Sequence, residues 1–255
     1  MNRLRLNPTV RCFLNALAMV VAFTPVLAHA QASSQSQAQA IAPGYIIVLG
    51  RSFDRNKIIA YAAALPPIYA ETGGRYIGQG RPGAGVTCLY GLCEGRSAIV
   101  AFWPDQTAIE AFWWGEAYRK AIRLRDGAGV FTVVGIRGAV GAVPYALPGA
   151  LLIATASGAT EPAAATTWLD AASKAGARLL APFSNASLVA LEGDPLYSRV
   201  AMLSFESRER RDQFAVSDET KIFIKSAPPM SLVSMIAIDA PAPPTPAAST
   251  PAVIK

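Results

Sequence analysis

Short uninterrupted apolar runs, separated by glycine- or proline-marked turns, alternate with longer stretches of helical spacing between residues 44 and 239. Residues 45–49 (YIIVL) read as a strand buried on both faces. Residues 56–71 have helical character, with Pro66-Pro67 marking a helix start or a kink, and Gly73-Gly74 stops the helix. Residues 75–78 (RYIG) begin a second strand. Residues 86–90 and 98–103 (AIVAFW) read as a strand pair across a turn at 91–95. Pro104-Asp105 opens a helix through about residue 122, and 130–136 (VFTVVGI) is a closing strand.

The same succession then starts again. Residues 150–155 (ALLIAT) read as a strand, 163–175 as a helix ended by Gly176, and 178–181 and 187–191 as strand material. After a Gly193-Asp194-Pro195 turn come a strand at 199–205 (RVAMLSF), a helix from 208 to about 221, and a closing strand at 232–238. Particular residues match as well: Gly73-x-Arg75 with Gly176-x-Arg178, Leu89-x-Gly91 with Leu191-x-Gly193, Arg96 with Arg199, Phe102 with Phe205, and Phe112 with Phe214. The offset stays at 102 or 103 residues, which points to duplication. The expected fold is α+β: two tandem ferredoxin-like βαββαβ modules, at 44–138 and 149–239. A unit of this type covers one face of its sheet with helices and leaves the other apolar. Two copies can cover each other sheet to sheet, as an α+β barrel within one chain.

The ends are of different character. Arg3, Arg5 and Arg11 precede an apolar run at 13–27, and Ala28-His29-Ala30 supplies a small-x-small cleavage motif. Residues 1–30 are therefore expected to be a signal peptide, with Gln31 the first mature residue, periplasmic or secreted destination, and no stable membrane anchor after cleavage. Residues 31–43 form a polar linker and 240–255 a Pro/Ala-rich tail. Cleavage would leave 20 basic against 17 acidic side chains, too even a balance to suggest a nucleic-acid partner. It would also remove His29, the only histidine. A mature chain without histidine cannot form a Ser-His-Asp triad, a His-ligated haem or a His-containing zinc site, so neither a metal nor a cofactor is expected.

Few residues stand out as chemistry. Cys88 and Cys93 are spaced C-x₄-C around a turn and, in an exported protein, are a disulfide candidate rather than a redox or metal pair. Aromatic residues concentrate in the first module. Tyr61, Tyr76, Trp113 and Tyr118 could wall a cleft between helices and sheet, with Arg96 orienting an acidic group of a ligand. The same aromatics would equally serve as core, and Arg96 as a strand-end charge or a partner of Glu94. Basic residues 119, 120, 123 and 125 close a helix where its dipole favours them. The glycine-rich run 78–85 lacks the Lys-Ser/Thr of a phosphate loop and reads as a turn. Residues 185–187 formally make a glycosylation sequon.

The opening strand 45–49, Tyr61-Ala62-Ala63, Gly73-Gly74-Arg75-Tyr76, Arg96 with the strand through Phe102, Ala111-Phe112-Trp113 and Glu116-x-Tyr118 together resemble the bacterial domain-of-unknown-function family numbered 1330, of the dimeric α+β barrel group. The second module resembles it more distantly, at Leu191-Glu192-Gly193, Arg199 and Phe205. It has Ala175-Gly176 for the Gly-Gly pair and Thr220 where Tyr118 stands. The resemblance implies a ferredoxin-like module that pairs through its sheet, and no set activity. The expected function is non-catalytic: binding of a small apolar or aromatic ligand, or an accessory role. The alternatives are an enzyme related to the barrel-group monooxygenases or isomerases, and an interaction protein using the Pro-rich tail.

Overall fold

The computed structural model of the chain describes residues 41–146, 149–158, 164–183, 188–226 and 232–241. The expected signal peptide, the linker up to residue 40, the tail beyond 241 and the 185–187 sequon lie outside them. The first half comprises β1 (Gly44–Ser52), α1 (Arg55–Thr72), β2 (Arg75–Pro82), β3 (Gly85–Gly91), β4 (Ser97–Trp103), α2 (Gln106–Trp114), α3 (Glu116–Ile122), a 3₁₀ turn Arg123–Arg125, and β5 (Gly129–Arg137). The second comprises β6 (Ala150–Ala156), α4 (Ala165–Lys174), β7 (Arg178–Ala181), β8 (Leu188–Glu192), β9 (Arg199–Phe205), α5 (Arg208–Ala215), α6 (Asp218–Ser226) and β10 (Leu232–Asp239).

Mixed α+β architecture results, built on one curled ten-stranded sheet in the order β7-β9-β6-β10-β3-β2-β4-β1-β5-β8. Each half contributes an antiparallel quartet, β2-β4-β1-β5 and β7-β9-β6-β10. The remaining strand of each half crosses to the other. β3 pairs antiparallel with β10, and β8 pairs antiparallel with β5. This corrects the expected pairing of 86–90 with 98–103. β4 lies between β1 and β2, which occupy both its edges, so β3 finds its main antiparallel edge on the second half.

Alternation along the strands explains why they read as unbroken apolar runs. On β1, Tyr45, Ile47 and Leu49 enter a central core, whereas Ile46 packs under the helices of the first half. On β6, Leu151 and Ile153 enter the same central core, and Leu152 and Ala154 pack under the second half's helices. Side chains two apart share a face, so a strand buried on both faces needs an apolar residue at every position. The central core draws on both halves, including Val100, Phe102 and Ile136 with Met202, Ile236 and Ile238.

Local signals place the helices. The Asp54 carboxylate accepts from the Asn56 and Lys57 amides and caps α1. Gly73 ends α1 at φ 72°, and a Cβ at Gly74 would collide with the Trp103 indole. Pro66 and Pro67 lie inside α1 rather than at its start, where they withdraw the donors that would reach the Ala62 and Ala63 carbonyls. The expected helix to residue 122 is two helices, α2 and α3, with extended backbone at Gly115 between them. The helix expected from 208 to 221 likewise divides, after Ala215.

Candidate functional site

Between α1, α2, α3 and the outer face of the first quartet lies a cavity of about 550 Å³. The sheet supplies Ile46, Val48 and Ile99 as its floor; α1 supplies Ile58, Leu65 and Tyr69; Phe112 and Tyr118 close the far side. Gln79, Arg81 and Ser97 stand at its polar end with Pro241, the residue two beyond β10. A volume in the range of roughly 300–1,000 Å³ is typical of small-molecule sites.

Tyrosine dominates the polar chemistry. The Tyr61 and Tyr118 hydroxyls are 3.0 Å apart and share a hydrogen bond. Tyr69 packs between Tyr76, Phe112 and Trp103, with ring centroids 4.7, 5.0 and 5.4 Å away. Burial raises the phenol pKa of Tyr76 to about 12 and pushes those of Tyr69 and Tyr118 well above the usual value. For Tyr118 the neighbouring Tyr61 adds to this, while the Arg125 guanidinium opposes it. These phenols stay protonated at neutral pH and act as neutral hydrogen-bond donors and acceptors.

One charged group lines the closed side of this cavity. Arg125, from the 3₁₀ turn, is only 7 % exposed and lies 5.1 Å from the Tyr61 ring centroid and 4.5 Å from that of Phe131. Its Nη1 and Nη2 donate to both carboxylate oxygens of Glu192, at 2.9 and 2.5 Å. Glu192 ends β8, the strand that crosses from the second half, so a residue of one half neutralises a cavity arginine of the other. Burial and the basic run at 119–125 gave no sequence signal for this pair, whose members are 67 residues apart. The dipole accounts for Arg119 and Lys120 in the last turn of α3, but Arg125 lies beyond that helix.

Three of the five residues expected to form a cleft line this cavity: Tyr61, Tyr76 and Tyr118. Trp113 does not. Adjacent helix positions differ by about 100°, so with Phe112 facing the cavity Trp113 turns away, buried behind Tyr118 at 4.9 Å between ring centroids. Arg96 does not either. It precedes β4 on the turn that follows the disulfide between Cys88 and Cys93, and it lines a different cavity between the two halves.

The corresponding volume in the second half is filled. Trp168 stacks on Phe223 with centroids 4.7 Å apart and contacts Phe183 and Phe214. Its indole N–H donates to Thr220 Oγ1 at 3.0 Å. Counting back from the matched Gly73 and Gly176, Trp168 takes the place of Leu65; counting forward from the matched Phe112 and Phe214, Thr220 takes that of Tyr118. A larger depression, about 1080 Å³, lies outside α4 and α5, but Asp170, Lys174, Glu209 and Arg210 make it a solvated, mixed-charge surface. Among the described residues no cluster of three or more potential metal ligands occurs, and no helix is long and apolar enough to cross a membrane.

Residues 43–139 match the family model of a domain of unknown function, DUF1330, so the family resemblance holds over the first half. Among solved structures, a provisionally assigned monooxygenase from Lactobacillus acidophilus is similar at 12% identity, over 78% of this chain and 93% of that one, with a TM-score of 0.46. A protein of unknown function from Rhodopseudomonas palustris is 19% identical over 38% of this chain and 82% of its own, with a TM-score of 0.30. A variant chlorite dismutase from Candidatus Nitrospira defluvii is 9% identical over 78% and 92%, with a TM-score of 0.40. No curated protein matches the chain in sequence.

Proposed function

We propose that this is an exported protein of two ferredoxin-like modules, joined within one chain as an α+β barrel, whose first module binds a small, flat, largely apolar ligand. The observation that carries the reading is the 550 Å³ cavity walled by Tyr61, Tyr69, Tyr76 and Tyr118, set against its filled counterpart around Trp168. The strand order supports the module assignment. In each half the first, second, third and last quartet strands lie in the order 2-3-1-4, as a βαββαβ unit requires. Aromatic walls with hydroxyl tips suit a planar ring system carrying one or two polar substituents. Binding is favoured over turnover by the lining itself, which holds no carboxylate, imidazole or thiol, and in which burial holds the Tyr69, Tyr76 and Tyr118 phenols protonated.

Native mass spectrometry of protein purified from its own periplasm should show a retained ligand, and titration with naphthol should quench Trp103 and Trp113 emission. Leu65→Trp, which copies the second module, should fill the cavity and abolish that quenching while leaving the fold intact. A Leu65→Trp protein that binds as the parent does would refute the site. Conversion of the bound phenol in air would replace the binding reading by the oxygenase alternative.

A further inference from the structure

We infer that the cavity between the two halves, which Arg96 and Tyr197 both line, is a second ligand site that takes the carboxylate end of an amphiphile. The cavity measures about 540 Å³ and is lined from both halves, by the ends of β1 and β5 on one side and by the Gly193–Tyr197 turn and β10 on the other. It shares only Phe131 with the tyrosine-lined cavity.

Two polar groups in it lack the partners their positions call for. Tyr197 is 93 % buried by its 7 % exposure, and its hydroxyl is enclosed without a hydrogen-bond partner. Such a group is normally satisfied by protein, water or ligand, because leaving it unpaired is costly. Arg96 forms no ion pair and donates no side-chain hydrogen bond among the described residues; its charge acts on Tyr197, whose phenol it acidifies against the stronger effect of burial. Its counterpart Arg199 is tied down instead, donating to the Phe183 and Gly158 carbonyls. Arg51 is likewise committed, to the Glu94 carbonyl at 2.8 Å. Asp194 is the one carboxylate in the lining; it is exposed and forms no ion pair.

A guanidinium fork beside a phenol O–H matches the planar, two-oxygen geometry of a carboxylate. The rest of the site is apolar and open. Phe53, Leu92, Val130 and Leu196 line it while 73, 59, 67 and 62 % exposed. Four large apolar side chains left in water around one cleft mark a surface that receives apolar matter. A head group on Arg96 and Tyr197 would lead its hydrocarbon part out along these four.

The probe is dansyl-labelled undecanoic acid, with its methyl ester as the neutral comparison, titrated by fluorescence against the full exported chain. The acid should bind, and the ester at least roughly tenfold more weakly, since each tenfold step corresponds to the loss of one charge-assisted hydrogen bond. Arg96→Gln and Tyr197→Phe should each weaken the acid by about tenfold or more. Neither change should disturb folding, because Arg96 is unpaired and the Tyr197 hydroxyl bonds to nothing in the protein; unchanged melting curves check this. Saturating naphthol should leave acid binding unaltered, so a failure at the tyrosine-lined cavity and a failure here are separate results. Equal binding of acid and ester, unaltered binding by both variants, or displacement of the acid by naphthol would each overturn the assignment.

Discussion

Replacing Glu192 by alanine should destabilise the protein through a residue it does not touch covalently or sequentially, Arg125. The guanidinium is 7 % exposed and its carboxylate partner 30 % exposed, with two short hydrogen bonds between them. Removing one member of a fully buried pair costs about 3–5 kcal/mol, because the other charge is left without compensation. Water reaches the Glu192 side, which reduces that figure to roughly 2–3 kcal/mol. For a chain of this size each kcal/mol lowers the melting temperature by about 2–4 °C, so Glu192→Ala should melt roughly 5–10 °C below the parent. Arg125→Met alone should cost less, since it leaves an exposed-side carboxylate that water can solvate. The double variant should be close to Arg125→Met, giving a coupling of at least about 1 kcal/mol in a thermal or urea double-mutant cycle. A Glu192→Ala cost below about 0.5 kcal/mol, or strict additivity of the two changes, would refute the claim that this pair binds β8 to the wall of the first-half cavity.

Three further outcomes are expected. Trp168→Ala should destabilise by about 3–5 kcal/mol, because the indole is enclosed by Phe183, Phe214 and Phe223 and leaves a void; a smaller loss in urea melts would mean that the second-half core collapses onto it. Cys88 and Cys93 should be unavailable to alkylation until reductant is added, and reduction should cost roughly 2 kcal/mol, as the chain-entropy model gives for so short a loop; Cys88 and Cys93 both labelled without reductant would refute the bond. Alkali should unfold the chain. Tyr45, Tyr69, Tyr76, Tyr118 and Tyr197, five of the eight tyrosines, have raised folded pKa values, so above about pH 10 the unfolded state releases protons that the folded state still holds, and stability falls as pH rises. Absorbance at the phenolate band should therefore rise together with the loss of circular dichroism; gradual ionisation of all eight without unfolding would contradict the burial.

Unbroken apolar runs and turn residues made the strands legible, and the 102–103 offset made the repeated order legible. Strand partners were not. Residues 86–90 and 98–103 lie close in sequence with a turn between them, which locally favours a hairpin. What decides otherwise is non-local: β4 is already held on both edges by β1 and β2, and β10 offers the edge that β3 takes. The break at Gly115 is not legible because one glycine in an otherwise helical run leaves continuation and interruption equally open, and the break after Ala215 carries no glycine or proline to mark it.

At the site, residue type was a better guide than residue role. A surplus of tyrosine and tryptophan in the first module marked where a cavity would be, and Tyr61, Tyr76 and Tyr118 do line it. Type could not say which aromatic faces inward, and one helix step separates Phe112 from Trp113. Arginine was harder. Arg96 stood out because it matches Arg199 in the repeated order of elements, yet it lines the space between the halves; Arg125 did not stand out, yet it lies under Tyr61. Both outcomes follow from the crossing strands. β8 brings Glu192 to Arg125, so a charge can be buried in the first-half cavity, whereas β3 carries the Cys88–Cys93 loop over to β10 and directs the turn holding Arg96 toward Tyr197. The second half is filled around Trp168 while the first stays hollow. The crossing of β8 then lets the second half set the charge within the first half's cavity.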